Sequence, residues 1–536
     1  MAQPEVIGSS PDTYGVFIDK SAYPTEPAKN VMGGTVETRK GRRSIYKATS
    51  PEDFLEEYGH DPQFSLTTYA PLLTLQESNK VAIKRVTNGA KNAGAILARI
   101  PDDDAIPAEY VGKNILRPMI VGEENDDKEL ILSDDMVLAV YNLSPGESDL
   151  SYRFYPEVED PEGGFWFEVY EANSTVAIER FQCSLMYRND GNNDQMFIEE
   201  RVNGASNKVR VVVNRNAQFR LEDDIIDVSM LAACGGGDNG ERVLPEQIIA
   251  TMAEFADQER VRINTFVTTG WESPTVLRAA DLLAKQRKDC FSILDVPVRY
   301  QTSLQDMIVW RNETLRIDSS FSALYGKHVI VQDRYANMQV AIPLSAAAAG
   351  CYAYTDNVAR ASWSPAGMQR GDLQRFAIIG VHGDPHSRPD RDKLHNAQIN
   401  SIKTLDEVGS FIWDDVTLQR RKSMGTFIGA SRLRAYLYRQ ITDILNVSVF
   451  DPNDLFLRDQ IDLSCKKVLT EEQRGRGLRR FMTSFPKRLN TLRAQDAGKL
   501  YYRVIYTPVA SARQIIVEYT MTNSSVDFDD LMDGVL

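Results

Sequence analysis

The 536-residue sequence lacks the features that identify a secreted or membrane protein. No apolar stretch reaches the ~20 residues that a membrane-spanning helix needs. The opening segment MAQPEVIGSS has neither a basic start nor an apolar centre, which argues against a secretory signal peptide. The five cysteines are scattered and form no C-x-x-C pair. We therefore expect a cytosolic protein with reduced thiols and no zinc framework.

The motifs of common enzyme classes are also missing. The run LAACGGGDNGER (231–242) precedes a helical pattern, and a glycine loop of this kind can cradle a phosphate. However, no Lys-Ser or Lys-Thr follows it, and the Asp238 carboxylate would repel phosphate. Three residues also separate the glycines from the predicted helix. We favour a turn that uses glycine for positive φ, with a nucleotide site at 234–240 as the alternative.

Two other places carry side chains capable of chemistry. The segment HGDPHSRPDRDKLH (382–395) contains His and Asp residues suited to zinc or manganese, although their spacing matches no known site and its two prolines predict an irregular loop. These residues are His382, Asp384, His386, Asp390, Asp392 and His395. Asp295 ends the predicted strand CFSILDVP, where α/β enzymes place catalytic carboxylates. Because no G-x-S-x-G nucleophile motif is present and nothing converges on Asp295 in sequence, we expect no catalytic site.

Charge is distributed unevenly along the chain. The formal net charge of −14 argues against general nucleic-acid binding. Residues 121–171 hold 15 acidic residues against two basic ones, whereas residues 466–495 hold nine basic residues against two acidic ones. An acidic end and a basic end suit head-to-tail association or docking on a charged surface, and two solvated faces are the alternative.

Helix and strand patterns alternate over most of the chain. The segment SPEDFLEEYG (50–59) predicts a helix with Ser50 as N-cap, Pro51 in the first turn and Gly59 at its end. From 245 onward, predicted helices such as SPTVLRAADLLAKQR lead into strands such as CFSILDVP. Short strands between turn signals form a β-rich insert at 115–215. These patterns predict a multidomain mixed α/β fold with a parallel or mixed sheet covered on both faces.

The order of several segments resembles the sheath protein family of contractile phage tails and related injection machines. YGVFIDKS looks like the family's opening PGVYVEE, LAACGGGDNG is similar to its L-x-G-G-x-D-G segment, and VFDPND resembles F-E-P-N. The most informative segment, LSAAAAGCYAYTDNVARASWSPAG (344–367), resembles S-G-x-x-A-G-x-x-A-x-x-D-x-x-R-G-x-W-x-A-P-A. The chain departs from the family at Trp413, where W-G-A-R-T becomes WDDVTLQ, and at Tyr325, where Y-P-W becomes YGKH.

The resemblance implies a structural subunit and no enzyme. Such subunits form six-fold rings that stack helically around an inner tube, in a virion tail assembled in the host cytoplasm. The extended sheath is metastable, and its contraction drives the tube through the host envelope without nucleotide, metal or other cofactor. The implied partners are further copies of the chain, the inner tail tube protein, and baseplate and tail terminator proteins, with no nucleic acid and no membrane insertion.

The resemblance also implies a division of the chain. It gives an N-terminal arm (1–29), a tube-proximal α/β domain (30–90 with 351–512), a second α/β domain (91–114 with 216–350), the outward β-rich insert (115–215) and a C-terminal arm with an acidic tail (513–536). The glycine run at 234–240 then lies at a domain junction.

Two sets of residues are predicted to contact other proteins. A basic helix near 470–483 and its following turn would face the tube through Arg474, Arg476, Arg479, Arg480, Lys487 and Arg488. Two alternating segments near the chain ends would add strands to sheets of adjacent subunits through Tyr14, Val16, Ile18, Ile515, Val517 and Tyr519. The alternative for 514–522 is a strand that completes its own subunit's sheet.

Two other functions stay open from the sequence alone. The first is another structural role, such as a baseplate or adhesin component. The second is an α/β enzyme that uses the 234–240 glycine loop or the 382–395 His/Asp segment.

Overall fold

A computed structural model gives the fold and describes residues 30–99, 113–121, 136–146, 148–156, 164–171, 174–190, 194–215, 225–226, 232–234 and 237–513. The helices are α1 (Pro51–Tyr58), α2 (Tyr69–Leu75), α3 (Ile198–Ala205), α4 (Pro245–Ala253), α5 (Pro274–Arg287), α6 (Leu304–Val309), α7 (Leu344–Val358), α8 (Arg388–Asn396), α9 (Ile428–Val447), α10 (Leu455–Arg474) and α11 (Leu492–Asp496). Among these described helices, none is both long enough and apolar enough to cross a bilayer.

The strands follow in chain order. They are β1 (Met32–Val36), β2 (Tyr46–Ala48), β3 (Val81–Arg85), β4 (Asn92–Arg99), β5 (Lys113–Val121), β6 (Met136–Pro145), β7 (Leu150–Pro156), β8 (Phe165–Glu171), β9 (Glu179–Cys183), β10 (Val209–Val213), β11 (Ile225–Ile226), β12 (Ala232–Ala233), β13 (Thr265–Val267), β14 (Phe291–Asp295), β15 (Ser322–Tyr325), β16 (His328–Asp333), β17 (Met338–Pro343), β18 (Ile378–Val381), β19 (Ile399–Asn400), β20 (Ile402–Leu405), β21 (Gly409–Ile412), β22 (Leu478–Ser484) and β23 (Arg503–Pro508).

A seven-stranded sheet in the order β19-β15-β14-β13-β1-β3-β2 forms the centre of the α/β body. Its neighbouring strands are parallel except for β2 and β3, which are antiparallel. Along β3, Val81 and Ile83 join one hydrophobic cluster with residues of α2 and α7, whereas Ala82 joins another with residues of α4 and α5. Helices therefore cover both faces, and the predicted mixed α/β fold is confirmed.

Distant parts of the chain meet in this sheet. The central strand β1 pairs with β13 on one side and with β3 on the other. At the far edge, β19 pairs with β15. The sheet thus joins strands from both predicted α/β domains, and the boundaries between those domains stay a prediction.

The first helix follows from its local sequence. The Ser50 hydroxyl accepts a hydrogen bond from the Asp53 N–H at 3.1 Å, which caps the start of α1. The Asp53 carboxylate in turn accepts from the Thr49 N–H at 2.8 Å. Gly59 ends the helix at φ +67°, a conformation that glycine adopts without steric cost. The predicted start and end of this helix are confirmed.

Two further sheets form the β-rich unit, in the orders β10-β6-β4-β5-β11 and β12-β7-β8-β9. They enclose a hydrophobic cluster that includes Leu97, Phe154, Phe167 and Val211. Because β4 pairs with both β5 and β6, this unit begins before the predicted boundary at 115. The small residues of NAGAILAR allow β4 to be buried between its two neighbours.

A smaller unit follows α9. The helices α9 and α10 and the antiparallel pair β22–β23 share a cluster of Leu433, Leu437, Leu469 and Leu478. The prediction of a basic helix near 470–483 is wrong beyond Arg474, where α10 ends. Arg476 takes a left-handed conformation at φ +62°, and residues 478–484 then run as a strand. The helix stops because burial of Leu478 and Phe481 on α9 and α10 requires the chain to turn back.

Candidate assembly surface

The six basic residues predicted to face a tube are all exposed. They occupy three kinds of structure instead of one helix, as Arg474 ends α10, Arg476 lies in the turn, and Arg479 and Arg480 lie on β22. Lys487 and Arg488 follow in the next turn. Across the described part of the chain, no carboxylate forms an ion pair with any of the six. The region therefore presents uncompensated positive charge to solvent.

A β-bulge explains why two consecutive arginines point outward. Leu478 pairs with Pro508 and Arg480 pairs with Thr507, so Arg479 has no partner across the sheet. The extra residue shifts the alternation of side chains by one position. As a result, Leu478 and Phe481 both reach the cluster under the sheet, and Arg479 and Arg480 both remain exposed.

The outer face of the same strand pair carries apolar side chains. Met482 lies opposite Ile505, and these residues are 65% and 53% exposed. Arginines flank them on that face, with Arg480 two residues before Met482 and Arg503 two residues before Ile505. An apolar pair among cations is typical of a protein contact surface and unusual for a solvated strand.

The strand pair also has open edges. Within the described ranges, β22 and β23 pair only with each other. Each outer edge thus leaves backbone N–H and C=O groups available to another strand. Two-stranded sheets are marginal by themselves, and addition of a strand satisfies these groups.

A second apolar region joins α9 to α10. Val447, Phe450, Leu455 and Phe456 are between 75% and 101% exposed. Phe450 also takes a left-handed conformation at φ +77°, which turns its ring away from the body. Large apolar side chains displayed together in this way indicate a surface that another molecule covers.

The predicted arm residues lie outside the described residues: Tyr14, Val16, Ile18, Ile515, Val517 and Tyr519. The described chain ends at Arg513, whose guanidinium pairs with the Asp415 carboxylate and lies 4.1 Å from the centroid of the Phe427 ring. Burial raises the pKa of Asp415 to about 6. The segment from 514 onward therefore starts from a fixed point beside β21 and α9.

The glycine loop makes backbone contacts that leave little room for a phosphate. Asp238 and Lys91 exchange two backbone hydrogen bonds of 2.8 and 3.1 Å, and the Glu241 N–H donates to the Asn88 carbonyl. The Gly240 N–H donates to the Asp238 carboxylate at 3.0 Å. Gly240, at φ +77°, packs so closely on Asn88 that a Cβ would meet its carbonyl oxygen at 2.3 Å. The loop joins the α/β body to the β-rich unit, and the N–H groups of Asp238, Gly240 and Glu241 already have acceptors.

The His/Asp segment does not bring its ligand types together. Part of it forms α8, because Ser387 caps the helix and Pro389 lies in the first turn, so the expected irregular loop is wrong from Arg388 onward. His395 instead meets Asp414, with 2.6 Å between Nδ1 and the carboxylate oxygen, which raises the pKa of the imidazole. Among the described residues, no group of three or more His, Cys, Asp or Glu side chains could hold a metal ion.

Asp295 is buried at the end of β14 and faces the start of α7. One carboxylate oxygen accepts from the Ser345 N–H at 2.9 Å, and the other oxygen is buried without a hydrogen-bond partner. Burial raises the pKa of Asp295 to about 7. The Ser345 contact places this carboxylate at a helix N-terminus, where it stabilises the join between sheet and helix.

Comparison with known proteins shows what the chain resembles. No established protein-family profile matches the sequence. The chain is 22% identical over 321 residues to the tail sheath protein of Enterobacteria phage T4, an alignment that covers 56% of this chain and 48% of the phage protein. It is 24% identical over 271 residues to the tail sheath protein of Vibrio phage KVP40, covering 47% and 40% of the two chains.

The chain is related to phage tail sheath proteins. Its structure superposes on that of the sheath tail protein Lin1278 from Listeria innocua with a TM-score of 0.57 and 10% identity, covering 89% of this chain and 94% of that one. The resemblance read from the sequence is therefore confirmed, and so is the sheath fold. The chain spans less than half the length of the two phage proteins that it matches.

Sequence reasoning missed the apolar part of this surface. Phe450 lies within the segment recognised as similar to F-E-P-N and Phe456 follows it, yet their exposure depends on how α9 and α10 pack. Phe481 and Met482 are consecutive apolar residues in a segment that also alternates, which indicates a strand with both faces covered. That signal could have identified the outer face of β22 as an exposed apolar surface.

Proposed function

We propose that this chain is a structural subunit of a contractile tail sheath. It would polymerise as stacked six-fold rings around an inner tube, contract from a metastable extended state, and drive the tube through a host envelope. The observation that supports this most is the superposition on a sheath tail protein over most of both chains. The sequence similarity to two phage tail sheath proteins points to the same role.

The proposal includes a mechanism without an enzymatic step. Subunits would move as nearly rigid bodies from a long lattice to a shorter and wider one with more favourable contacts. Only a few kcal/mol per subunit would be required, because the difference adds over many coupled copies. Neither the glycine loop nor the His/Asp segment would take part in chemistry, and no cofactor would be needed.

The proposed link between subunits is strand addition. The segments 14–18 and 515–521 would act as arms that add strands to sheets of adjacent subunits. The open edges of β22 and β23 support this, since a pair of exposed strand edges is a suitable acceptor. Backbone pairing tolerates changes in side-chain packing, which would keep neighbours connected while their bodies rotate.

The proposed contact with the inner tube uses the six exposed basic residues. Each pair between exposed charges is weak, so the attachment would be reversible and sensitive to salt. The β-rich unit would face outward, where acidic residues of the 121–171 region remain solvated. The heterologous contacts of such an assembly extend without closing along the axis. Baseplate and tail terminator proteins would meet its two ends.

Electron microscopy of the purified protein tests the proposal directly. We expect long hollow tubes with six-fold symmetry. A baseplate or adhesin role predicts small closed particles or filaments without a lumen, and that image would overturn the sheath proposal. Binding of labelled nucleotide, or stoichiometric zinc or manganese in the purified protein, would instead support an enzyme.

A further inference from the structure

A cleft of about 630 Å³ lies where the end of α7 meets the turn after α10. Tyr354, Arg360, Trp363, Gln369 and Arg370 line it, with the Gly475 backbone on the opposite side. Aromatic and cationic side chains therefore share one concave surface. This combination suits a ligand that carries both negative charge and apolar groups.

The positive charge in this cleft and beside it is only partly compensated. Arg360 pairs with Glu472 at 2.7 Å, and Arg375, over the Tyr354 ring, pairs with Glu77 at 3.6 Å. By contrast, no described carboxylate forms an ion pair with Arg370 or with Arg476.

Arg370 and Arg476 lie against one aromatic ring. Their guanidinium carbons are 5.0 and 5.6 Å from the centroid of the Trp363 ring. Arg370 Nε donates to the Ser364 carbonyl at 2.8 Å, which fixes the group at the cleft wall. Burial lowers the pKa of the Arg370 guanidinium. Two cations beside one indole, one of them partly buried, form a site for carboxylates.

The chain itself contains a segment of matching chemistry. Residues 523–536, NSSVDFDDLMDGVL, hold four aspartates and no lysine or arginine. Phe528 and Leu531 lie among these aspartates and could pack on the aromatic rings of the cleft. No other stretch after Arg513 carries this concentration of negative charge.

The last described residue also lies near the cleft. Arg513 pairs with Asp415, the Asp415 carboxyl lies near Ser364, and the Ser364 carbonyl accepts from Arg370. The 14 residues from Arg513 to Asp527 can extend over about 45 Å, at roughly 3.3 Å per residue. The acidic segment can therefore reach the cleft of its own chain.

We propose that the acidic segment 523–536 docks in the cleft of its own chain, with its aspartates on Arg370 and Arg476 and its apolar residues against Tyr354 and Trp363. This contact would hold the segment from 514 onward against the body of a free subunit. The proposal stands independently of the sheath function, because it concerns the isolated chain.

Peptide binding to the full chain tests this docking. A full-length variant with Asp527, Asp529, Asp530 and Asp533 all changed to Asn should leave the cleft free. A fluorescently labelled, amidated peptide of residues 523–536 should bind this variant, and fluorescence anisotropy should show at least about tenfold weaker binding to the unmodified chain, whose own segment competes at high effective concentration. A peptide with the same four Asp→Asn changes should not bind.

Substitutions in the cleft, made in the variant with the four Asp→Asn changes, test where the labelled peptide binds. Arg370→Gln should weaken the labelled peptide about tenfold, as expected for loss of a charge-assisted hydrogen bond. Gln369→Glu, at an exposed position of the same wall, should weaken it by repulsion without removing any internal contact. Arg388→Gln removes an exposed cation from α8 and should leave binding unchanged.

Three results would overturn the docking. They are absence of peptide binding, equal binding to the unmodified and neutralised chains, and binding that neither Arg370→Gln nor Gln369→Glu weakens. Equal binding would mean that the cleft serves another acidic molecule. None of these results depends on whether the protein forms tubes.

Discussion

Met482 and Ile505 face each other across β22 and β23 and together present an apolar patch on the solvent side of the pair. Because both side chains are mostly exposed in the single chain, replacing one of them should change the free energy of unfolding by less than about 0.5 kcal/mol. Met482→Glu should nevertheless abolish tube formation, since a contact between subunits over this face would bury the added charge. Electron microscopy and a thermal melt of the same sample measure both effects.

A matched control for this substitution lies in the β-rich unit. Val176 is 72% exposed, so Val176→Glu adds the same charge at an equally open position. Tubes should form normally in that variant. Normal tubes in the Met482→Glu protein would show that the outer face of β22 stays uncovered in the assembly.

Charge reversal at the bulge tests the tube-facing surface. Arg479→Glu together with Arg480→Glu should reduce co-sedimentation of sheath with inner tube, and the defect should be largest at low salt, where the attraction is least screened. Arg420→Glu with Arg421→Glu reverses two consecutive exposed arginines elsewhere and should have no effect on the tube. Unchanged co-sedimentation at every salt concentration contradicts a tube-facing role for this strand.

Proline at Val517 tests the arm. Proline removes a backbone donor, so a strand added to a neighbour would lose a ladder hydrogen bond. The Val517→Pro chain should melt like the unmodified protein and yet form no tubes. Ser525→Pro, beyond the alternating segment, serves as the control. If the Val517→Pro monomer itself melts at a much lower temperature, residues 514–522 complete their own subunit's sheet.

The buried carboxylate of Asp295 should make the fold less stable as pH rises. Its pKa is raised to about 7 from an ordinary value of 3.8, so the folded state holds a proton that the unfolded state releases between those values. The contribution of this group to the free energy of unfolding then falls with pH, at up to about 1.4 kcal/mol per unit. Asp295→Asn keeps an acceptor for the Ser345 N–H and should flatten this dependence. Urea melts from pH 4 to 8 give the slope, and identical slopes for the two proteins contradict the assignment.

The Lys91–Asp238 contact predicts where the β-rich unit can be removed. Because these residues exchange two backbone hydrogen bonds, a short Gly-Ser link in place of 92–237 should leave a folded α/β body. Removal of 115–215 alone should give insoluble protein, since it leaves β4 without most of β5 and without β6, its two neighbours in the sheet. Circular dichroism and gel filtration compare the two. A soluble, cooperatively melting 115–215 deletion would show that β4 does not depend on that sheet.

Local signals in the sequence were sufficient for several elements. The Ser50 side chain accepts a backbone hydrogen bond at the start of α1, Pro51 occupies the first turn, and Gly59 ends the helix. Each of these signals acts within one turn, so it can be recognised in the local sequence. The segment CFSILDVP likewise predicted β14. The neighbours of these elements could not be predicted, because strand order depends on contacts between segments more than 200 residues apart, as between Val31 and Asn264.

The basic region shows a different limit. The segment that contains Arg474 and Arg480 predicted one basic helix, because arginine and leucine favour helices. Packing overrides that preference, since Leu478 and Phe481 reach the cluster under β22 only after a turn at Arg476 and a bulge at Arg479. The sequence correctly indicated that these charges are exposed. It did not predict the turn and the strand on which they lie.

The place of β1 in the central sheet has a consequence for synthesis. This strand leaves the ribosome early, but its partner β13 follows more than 200 residues later, and the far edge at β19 follows later still. Long-range pairing of this kind folds slowly. The surface formed by α9, α10, β22 and β23 is translated after all of these strands. A nascent chain therefore acquires this exposed apolar surface only when the body that must carry it can already fold, which would limit premature association of unfinished chains.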